Sequence, residues 1–374
     1  MGKRELITKF LRLLPLKDII ILESSPDCSD SAQEFFEYLL KKGANKKYKI
    51  VWFLNKPETN YPAYENVEYF YRHGLDSKSV MKKMLYENRA RFILDSNAFV
   101  YKQRKDQIRI HMTHGDPYKV AYEYTSLIGD VDGVLTSSSL FKDFYNDVSK
   151  IDRDKVLPLG LPRNTVLANS KTFDKKAIIW MPTYRKHNNG FGMEEEFGGF
   201  WNGMPAIHSE EEFLKLNALL EEKGLTMYFR PHPAQDITHF KMNKYENFII
   251  ADNDYLKSRN VKLYDFVANC GALITDYSSI YNDYLLTGRP IGLTIEDLEE
   301  YTKRFGIVFN DFEHDVKGDY ILGFDDLLKF INNYSEGKDN SKEEREWANR
   351  RYHDLTDCNY SEILYNYLVD NYNF

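Results

Sequence analysis

The stretch that decides the fold is IIILESSPDCSDSAQEFFEYLLKKGANKKYKIVWFL, residues 19–54. It contains an apolar, β-branched run at 19–24, an amphipathic segment at 31–43 that ends on a glycine, and a second apolar run at 48–54. Two short apolar runs separated by a helix are typical of a parallel β-α-β unit. The chain therefore begins as an α/β protein with a parallel sheet.

The same alternation continues along the chain in two series. In the first series, further strands are predicted at 66–71, 91–95, 108–114, 133–137 and 155–160. In the second series, strands are predicted at 177–183, 225–232, 247–252, 271–276, 289–293 and 306–311. A polar stretch at 164–176 separates the two series, and 374 residues exceed the size at which one core usually stops growing.

We therefore predict a GT-B-like α/β fold, with two Rossmann-like domains, a ligand cleft between them and a C-terminal crossover helix. The predicted parts are an amphipathic N-terminal helix at 1–17, a first Rossmann-like domain at 18–170, and a second at 171–374 that includes the C-terminal helix. A Gly- and Asn-rich segment at 187–207 is predicted to be a long loop over the cleft.

Composition excludes several functional classes. The net charge is -7 and no long basic block occurs, which argues against nucleic-acid binding. The three cysteines make no C-x-x-C pair, and the acidic triplets at 130–132 and 252–254 lie in loop-like context, so we expect no metal and no cofactor. The sequence contains no run of about 18 apolar residues, so we expect no transmembrane helix. A cytoplasmic location is therefore expected.

The N-terminal segment MGKRELITKFLRLLPLK carries five basic residues and one acid, interleaved with apolar residues at helical spacing. Such a helix suits a membrane interface. Packing of the same helix against the first domain is an equally good interpretation, and both remain open.

Polar side chains follow several predicted strands, at the edge where doubly wound sheets bind their ligands. His114 follows one strand in MTHGDPYK, and its imidazole is suited to accept a proton near neutral pH. Arg230 and His232 follow another strand in FRPHP. The guanidinium of an arginine is well suited to bind phosphate. A turn histidine with a structural hydrogen bond is the alternative for His114. The other candidate ligand contacts at these strand ends are Gly115, Asp116, Pro117, Lys119, Arg163, Pro182, Thr183, Arg185 and Pro231.

The segment LITDYSSIYNDYLLTGRPI, residues 273–291, is the most informative. A buried strand ends at Thr275 and Asp276, and Ser278 and Ser279 open a helix whose free N–H groups suit an anion. The alternative interpretation is that Asp276 or one of the serines only caps this helix. Capping accounts for that one residue but does not account for the second serine or for Asp283. The segment therefore indicates a pyrophosphate site that lacks a glycine-rich loop.

Together these segments resemble the CDP-glycerol glycerophosphotransferase family of teichoic acid and capsule primases and polymerases. The family's W-H-G-T-P-x-K, G-L-P-R-N-D, P-T-Y-R, H-P and T-D-Y-S-S-x-x-x-D motifs are similar to THGDPYK, GLPRNT, MPTYR, RPHP and TDYSSIYND here, in the same order. The match departs at Thr113, where the family has Trp, and at Asp116, where it has Thr. A carboxylate at Asp116 would repel the donor phosphates unless it faces an acceptor hydroxyl or an arginine, so this departure leaves open a donor or acceptor that differs from the family's common one.

The resemblance implies that His114 and His232 are the catalytic pair and that the second domain binds CDP-glycerol while the first is the acceptor domain. It implies contacts to CDP-glycerol from Thr113 through Pro117, Arg163, Pro182, Thr183, Arg230 through His232, Ser278, Ser279 and Asp283. The implied enzyme transfers glycerol phosphate to a hydroxyl of a polyprenyl-diphosphate-linked saccharide or growing polymer, with release of CMP. The expected location is peripheral, on the inner face of the cell membrane.

Three alternatives remain. The donor could carry ribitol phosphate or another polyol phosphate, because the nucleotide half of the site would be unchanged. A GT-B glycosyltransferase of capsule synthesis that uses a nucleotide sugar is the second alternative. An inactive family member that acts as a scaffold is the third, and the altered T-H-G-D stretch is what suggests it.

Overall fold

The structure is a computed structural model that describes residues 3–57, 60–97, 100–118, 129–183, 185–188, 194–196, 199–232, 245–309 and 311–374. The described residues form two compact units. The first unit contains the described residues up to Asp116, those from 129 to Thr165, and His353–Phe374. The second contains Pro117, Tyr118 and the described residues of Val166–Tyr352. The C-terminal segment thus belongs to the unit in which the chain begins.

The first unit is built on a sheet of seven described strands, in the order β3-β2-β1-β4-β5-β6-β7, with every neighbouring pair parallel. The strands are β1 (Lys17–Glu23), β2 (Lys49–Leu54), β3 (Val67–Tyr71), β4 (Ala90–Asp95), β5 (Ile108–His111), β6 (Gly133–Leu135) and β7 (Val156–Leu157). The helices are α1 (Lys3–Leu13), α2 (Asp30–Lys41), α3 (Ser77–Arg89), α4 (Lys142–Ser149), α5 (Thr165–Ala168, at the boundary) and, near the C-terminus, α14 (Tyr360–Tyr372). Short 3-10 turns lie at 44–46, 139–141, 153–155 and 162–164.

Alternate residues of β1 enter two different cores, because successive side chains of a strand point to opposite faces. Ile20 and Leu22 pack with α2 and α14 on one face, while Ile19 and Ile21 pack with β3 and α3 on the other. Burying each such side chain stabilises the fold by about 1.5–3 kcal/mol. A continuous apolar strand with helices on both faces is what the IIILES run predicts, and the sheet confirms it.

The second unit repeats this construction with a parallel sheet in the order β12-β11-β8-β13-β14-β15 and a separate antiparallel hairpin, β9-β10. The strands are β8 (Asp174–Met181), β9 (Lys186–Asn188), β10 (Glu194–Glu196), β11 (Thr226–Phe229), β12 (Phe248–Ile250), β13 (Cys270–Thr275), β14 (Ile291–Thr294) and β15 (Asp319–Ile321). The helices are α6 (Glu210–Lys223), α7 (Asn253–Ser258), α8 (Leu263–Ala268), α9 (Ile280–Leu285), α10 (Leu298–Phe305), α11 (Phe312–Asp315), α12 (Phe324–Ser335) and α13 (Lys342–Tyr352). A 3-10 turn lies at 201–203.

One predicted strand is wrong. The run at 306–311 forms no strand in its described residues, and the last strand of the sheet is β15, at Asp319–Ile321. Gly306 ends α10 with a positive φ of 69°, and Phe309 packs edge-on against Tyr118 at 4.8 Å between ring centres instead of joining the sheet. The apolar residues of this run are therefore used in a ring contact.

The α/β class with two parallel, doubly wound sheets is confirmed. The predicted loop at 187–207 contains the short β9-β10 hairpin and the 3-10 turn in its described part. Across the described residues, no helix is both long and apolar enough to span a bilayer.

Candidate functional site

In the first unit, strand order reverses between β1 and β4, since β2 and β3 extend the sheet on one side of β1 and later strands extend it on the other. Ligands of doubly wound sheets bind at the carboxyl ends of the strands next to such a reversal. Glu23 and Asp95 are paired in register at this point, and both side chains are fully buried. His114 follows β5, the neighbour of β4.

The chain turns sharply around His114. Thr113 has a φ of +52°, in the left-handed region that non-glycine residues seldom adopt, and Gly115 has a φ of +134°. The Thr113 hydroxyl donates to the carbonyl of Leu135 at 3.5 Å. His114 is partly exposed as a whole residue, but Nδ1 of its imidazole is buried.

The pKa of His114 is lowered, mainly because burial disfavours the charged imidazolium. The nearby carboxylate of Asp30 opposes this effect, while Arg163 and His111 lower the pKa further. A neutral imidazole at neutral pH is the form that accepts a proton. The electrostatics of this turn thus suit the predicted general base.

Arg163 lies in the 3-10 turn at 162–164 and is almost fully buried. Its NH1 donates to both carboxylate oxygens of Asp30 at 3.0 Å. Asp30 opens α2 with a φ of +59° and also accepts from the backbone N–H of Ser31 at 2.7 Å. The structure therefore places Arg163 in an ion pair beside His114. Sequence reasoning missed Asp30, because the two partners are 133 residues apart.

Asp116 lies between the turns that follow β5 and β6. Its buried carboxylate accepts hydrogen bonds from the hydroxyls of Thr136 and Ser137 and from the Ser137 backbone N–H at 3.2 Å. Contact of Asp116 with a substrate stays a prediction. Its observed role is to tie the turn after β5 to the turn after β6.

A second buried carboxylate, Asp95 at the end of β4, was not predicted. Arg109 Nε donates to it at 2.7 Å and His111 Nδ1 is hydrogen-bonded to it. Burial alone would raise the pKa of Asp95, but Arg109 and His111 outweigh it and the pKa is lowered. His111 is thus part of a buried cluster with Asp95 and Arg109.

In the second unit, strand order reverses between β8 and β13. The carboxyl ends of β11, β8 and β13 are therefore neighbours, and the predicted residues of three sequence segments meet at one sheet edge. Thr275 and Asp276 end β13, and Pro182 and Thr183 follow β8. The Thr275 hydroxyl donates to the carbonyl of Met181 at 2.7 Å.

Asp276 joins the two strands at the reversal. It accepts from the backbone N–H of Thr183 at 2.9 Å and from the Thr183 hydroxyl at 3.0 Å, and Arg185 NH1 lies 2.9 Å from its Oδ2. Arg185 also donates to Asp297 from Nε at 2.6 Å and from NH2 at 3.1 Å. Burial works against the guanidinium charge, but the two carboxylates raise the pKa of Arg185. Contact of Asp276 and Arg185 with a substrate stays a prediction, since both are fully buried here.

Two tyrosines complete this cluster. The rings of Tyr277 and Tyr301 stack at 3.9 Å between centres, and the Arg185 guanidinium lies 5.3 Å and 5.0 Å from their centres. The Tyr277 hydroxyl donates to Asp297 at 3.0 Å. These contacts fix the loop between β13 and α9, which carries the two predicted serines.

Ser278 and Ser279 are partly exposed, and neither hydroxyl has a hydrogen-bond partner among the described residues. Ser279 occupies the N-cap position of α9 without making a side-chain capping bond. Both hydroxyls are thus available to a ligand. Asp283, one turn later, is buried and accepts from the Tyr264 hydroxyl at 2.6 Å. No sequence pattern pointed to Tyr264.

Arg230 and His232 follow β11. Arg230 NH1 donates to the carbonyl of Ala251 at 2.9 Å and NH2 donates to Asn253 at 2.5 Å, and burial lowers the pKa of this arginine although Asp252 opposes it. Pro231 is buried and His232 is exposed.

The remaining predicted residues are placed as follows. Pro117 belongs to the second unit, Pro182 is buried, and Lys119 lies outside the described residues. Among the described residues, no group of three His, Cys, Asp or Glu side chains is arranged to hold a metal ion.

Comparison with known proteins gives the family. The sequence model of the CDP-Glycerol:Poly(glycerophosphate) glycerophosphotransferase family matches residues 6–370. The chain belongs to this family. Every predicted site residue lies within the matched range, and the resemblance found in the sequence motifs is confirmed.

Curated relatives of this family member include both glycerol- and ribitol-phosphate enzymes. It is 23% identical over 341 residues to a teichoic acid poly(glycerol phosphate) polymerase of Staphylococcus epidermidis, covering 80% of this chain and 43% of that protein. It is 23% identical to a teichoic acid ribitol-phosphate primase of Bacillus spizizenii, covering 66% of this chain and 70% of the relative. The chain thus spans less than half of the first of these proteins.

Solved structures support the fold. A histidine-to-alanine variant of the wall teichoic acid polymerase TagF superposes with a TM-score of 0.70 at 17% identity, covering 99% of this chain and 94% of that chain. A histidine-to-asparagine variant of TagF soaked with CDPG gives the same TM-score of 0.70. A UDP-GlcNAc 2-epimerase of Methanocaldococcus jannaschii matches with a TM-score of 0.53 at 12% identity, covering 95% of this chain and 100% of that chain. The GT-B-like class is confirmed by these matches.

Proposed function

We propose that the chain is a CDP-glycerol-dependent glycerophosphotransferase of teichoic acid or capsule synthesis. An acceptor hydroxyl attacks the phosphate that bears glycerol, the bond from that phosphate to the CMP oxygen breaks, and CMP leaves. The observation that supports this most directly is the family match over residues 6–370, which includes the polar strand ends of both sheets.

The chemistry of the first unit supports a proton-accepting role for His114. Its pKa is lowered by burial, so the imidazole is neutral near pH 7 and takes the proton of the acceptor hydroxyl as the new bond forms. We propose that the Asp30–Arg163 ion pair sets this electrostatic environment. Positioning and charge stabilisation supply most of the rate in such displacements.

The chemistry of the second unit suits the donor. Ser278 and Ser279 offer two hydroxyls that have no hydrogen-bond partner among the described residues, and Arg230 and His232 add a cation and an imidazole at the end of β11, two strands away in the same sheet. Such groups neutralise the charge that develops on a diphosphate as CMP departs. His232 is proposed as the second catalytic histidine on the basis of the motif resemblance.

The proposed acceptor is a hydroxyl of a polyprenyl-diphosphate-linked saccharide or a growing polymer, at the inner face of the cell membrane. The support for a membrane location is α1, in which Leu6, Phe10 and Leu13 are exposed although they are apolar. An exposed apolar stripe on a basic helix is typical of helices that lie in a bilayer interface.

A ribitol-phosphate donor is the second candidate, because the relatives include a ribitol-phosphate primase that matches 66% of this chain. Donor choice distinguishes the candidates. Purified protein offered CDP-glycerol, CDP-ribitol and a nucleotide sugar in separate reactions should release CMP from CDP-glycerol. CMP release from CDP-ribitol alone would identify CDP-ribitol, and not CDP-glycerol, as the donor. Release of nucleotide from none of the three compounds would contradict the phosphotransferase proposal.

Two variants test the residues. His114→Asn should lower kcat by about 10²–10⁴-fold, the usual contribution of a general base. Ser278→Ala should lower kcat/KM for the donor by about 10-fold or more, because it removes a hydrogen bond to a charged group. His73→Asn, at an exposed histidine of the first unit, is the matched control and should change neither value.

A further inference from the structure

A cavity of about 690 Å³ opens at the amino-terminal edge of the first unit's sheet. Lys17 at the start of β1, Lys49 at the start of β2 and Lys82 on α3 line it. Because β1, β2 and β5 are parallel members of one sheet, this edge is opposite the edge that carries His114. The proposed reaction therefore makes no use of the cavity, which we name the lysine cavity.

Glu68 and Tyr86 hold two of the lysines in place. The ammonium groups of Lys49 and Lys82 lie 2.8 Å and 2.6 Å from the Glu68 carboxylate, to which the Tyr86 hydroxyl also donates at 2.7 Å. The same ammonium groups lie 5.2 Å and 5.8 Å from the centre of the Tyr86 ring. Two cations converge on one carboxylate, so one positive charge at this point is left without compensation.

Further charge comes from the start of β1. Lys17 is exposed and makes no ion pair within the part of the chain that the structure describes, while its neighbour Asp18 pairs with Arg91 at 3.4 Å. Around the lysine cavity, four cations face two carboxylates, although the whole chain carries a net charge of -7. The positive charge of this edge is therefore local.

An apolar stripe adjoins the cavity. Leu6, Phe10 and Leu13 of α1 are 51%, 61% and 84% exposed, and their spacing places them on one side of the helix. Leu11, on the other side, is buried. Leu16, three residues after Leu13, lines the lysine cavity, so the stripe leads directly to it.

The helix is held against this edge by specific contacts. Arg12 Nε donates to Asn88 of α3 at 3.3 Å, and Arg89 Nε donates to the carbonyl of Pro15 at 2.8 Å. The segment that carries the stripe is thus in contact with α3, which also lines the lysine cavity through Lys82.

We propose that the lysine cavity binds the phosphate headgroup of an anionic phospholipid while the apolar stripe of α1 enters the acyl boundary of the same membrane. The proposal rests on the membrane association included in the proposed function and names the lipid class that this association requires. A soluble phosphate compound would have no use for three exposed apolar side chains beside its site. An anionic phospholipid satisfies both the charges and the stripe.

The test is sedimentation of the full chain with vesicles of phosphatidylcholine alone or mixed with phosphatidylglycerol. Each lysine near an anionic surface contributes about fivefold to binding. The triple variant Lys17→Gln, Lys49→Gln and Lys82→Gln should therefore bind phosphatidylglycerol vesicles on the order of a hundredfold more weakly. Lys17→Gln alone, at a residue that makes no ion pair with any described residue, should lose about fivefold and tests the proposal if the triple variant fails to fold.

The matched control is Lys78→Gln, which removes an exposed lysine one turn before Lys82 on the same helix but outside the cavity. Equal losses from Lys78→Gln and Lys17→Gln would overturn the site in favour of a diffuse field. Calorimetry with inorganic phosphate is the second arm: phosphate binding that the triple variant abolishes, with vesicle binding unchanged, would overturn the lipid assignment.

Donor turnover separates this inference from the proposed function. CMP release from CDP-glycerol in vesicle-free solution should be the same in the triple variant and the unmodified chain, because the lysines are at the edge opposite His114. An unmodified chain that binds phosphatidylglycerol through the lysines but releases no CMP would contradict the proposed function and leave the lipid site standing.

Discussion

Replacing Arg185 with leucine should destabilise the second unit strongly. The guanidinium is fully buried and contacts Asp276 at 2.9 Å and Asp297 at 2.6 Å. Leucine preserves much of the apolar contact with Tyr277 and Tyr301 but leaves two buried carboxylates without their cation. An uncompensated buried charge is among the most costly defects in a folded protein.

The expected magnitude follows from that burial. Removing one partner of a buried ion pair costs about 3–5 kcal/mol. For a domain of this size, each kcal/mol lowers the melting temperature by about 2–4 °C. We therefore expect Arg185→Leu to unfold roughly 6–20 °C below the unmodified chain, measured by circular dichroism during heating. Urea unfolding followed by the fluorescence of the buried Trp180 gives a second measurement.

A matched control separates the ion pairs from the ring contact. Arg259 is exposed and lies 5.0 Å from the Tyr255 ring centre, the same distance that Arg185 keeps from Tyr301. Arg259→Leu should cost less than about 1 kcal/mol, because an exposed cation-π contact is weak. Adding Asp297→Asn to Arg185→Leu should restore part of the stability by removing one uncompensated charge.

Two results would refute this reasoning. A loss below about 1 kcal/mol in Arg185→Leu would mean that solvent reaches the carboxylates despite their burial. Equal stability of the single variant and the double variant with Asp297→Asn would mean that charge is not the cause.

Three further predictions concern the first unit. Asp30→Asn removes the carboxylate that opposes the lowering of the His114 pKa, so the pKa of His114 should fall further. The acid limb of the pH profile of kcat/KM should therefore move to lower pH. A shift of this limb to higher pH would contradict the assigned electrostatics. Gly160→Ala should lower the free energy of chemical unfolding by about 2–4 kcal/mol, because the φ of Gly160 is +74° and a Cβ there would lie 2.1 Å from the Tyr360 ring. An unchanged denaturation midpoint would mean that the ring moves aside. Asp116→Asn should lower stability by about 1–3 kcal/mol, because it weakens the hydrogen bonds from Thr136 and Ser137, and should leave the donor KM unchanged. A raised KM would instead support a direct contact of Asp116 with the donor.

The regular part of the fold was predictable because its signal is local. In IIILES and YKIVWFL, strands buried on both faces require unbroken apolar runs, and the helix between them requires apolar residues on one side. The last strand, DYI at 319–321, was missed because three residues, one of them charged, carry almost no periodic signal. The strand predicted at 306–311 was wrong because Phe309 packs on Tyr118, a contact that no local pattern encodes.

The candidate site was predictable where its residues follow strands. Thr183, Asp276 and Ser278 each come directly after an apolar run, and the strand order brings those runs together. The partners that hold them were not predictable, because Asp297 reaches Arg185 across 112 residues and Asp30 reaches Arg163 across 133. Sequence patterns thus indicate which side chains lie at the sheet edge, whereas their ion pairs depend on tertiary packing.

The polarity of the first sheet has a consequence for the length of the proposed acceptor. β1 is seven residues long, and at about 3.3 Å per residue it separates the amino-terminal edge from the carboxyl-terminal edge by roughly 20 Å. If phospholipid headgroups are bound at one edge, the reacting hydroxyl must stand about that far from the bilayer. A lipid with only a diphosphate would be too short, whereas a linkage saccharide or an existing polymer would bridge the gap. The strands would then act as a spacer that rejects unprimed lipid carriers.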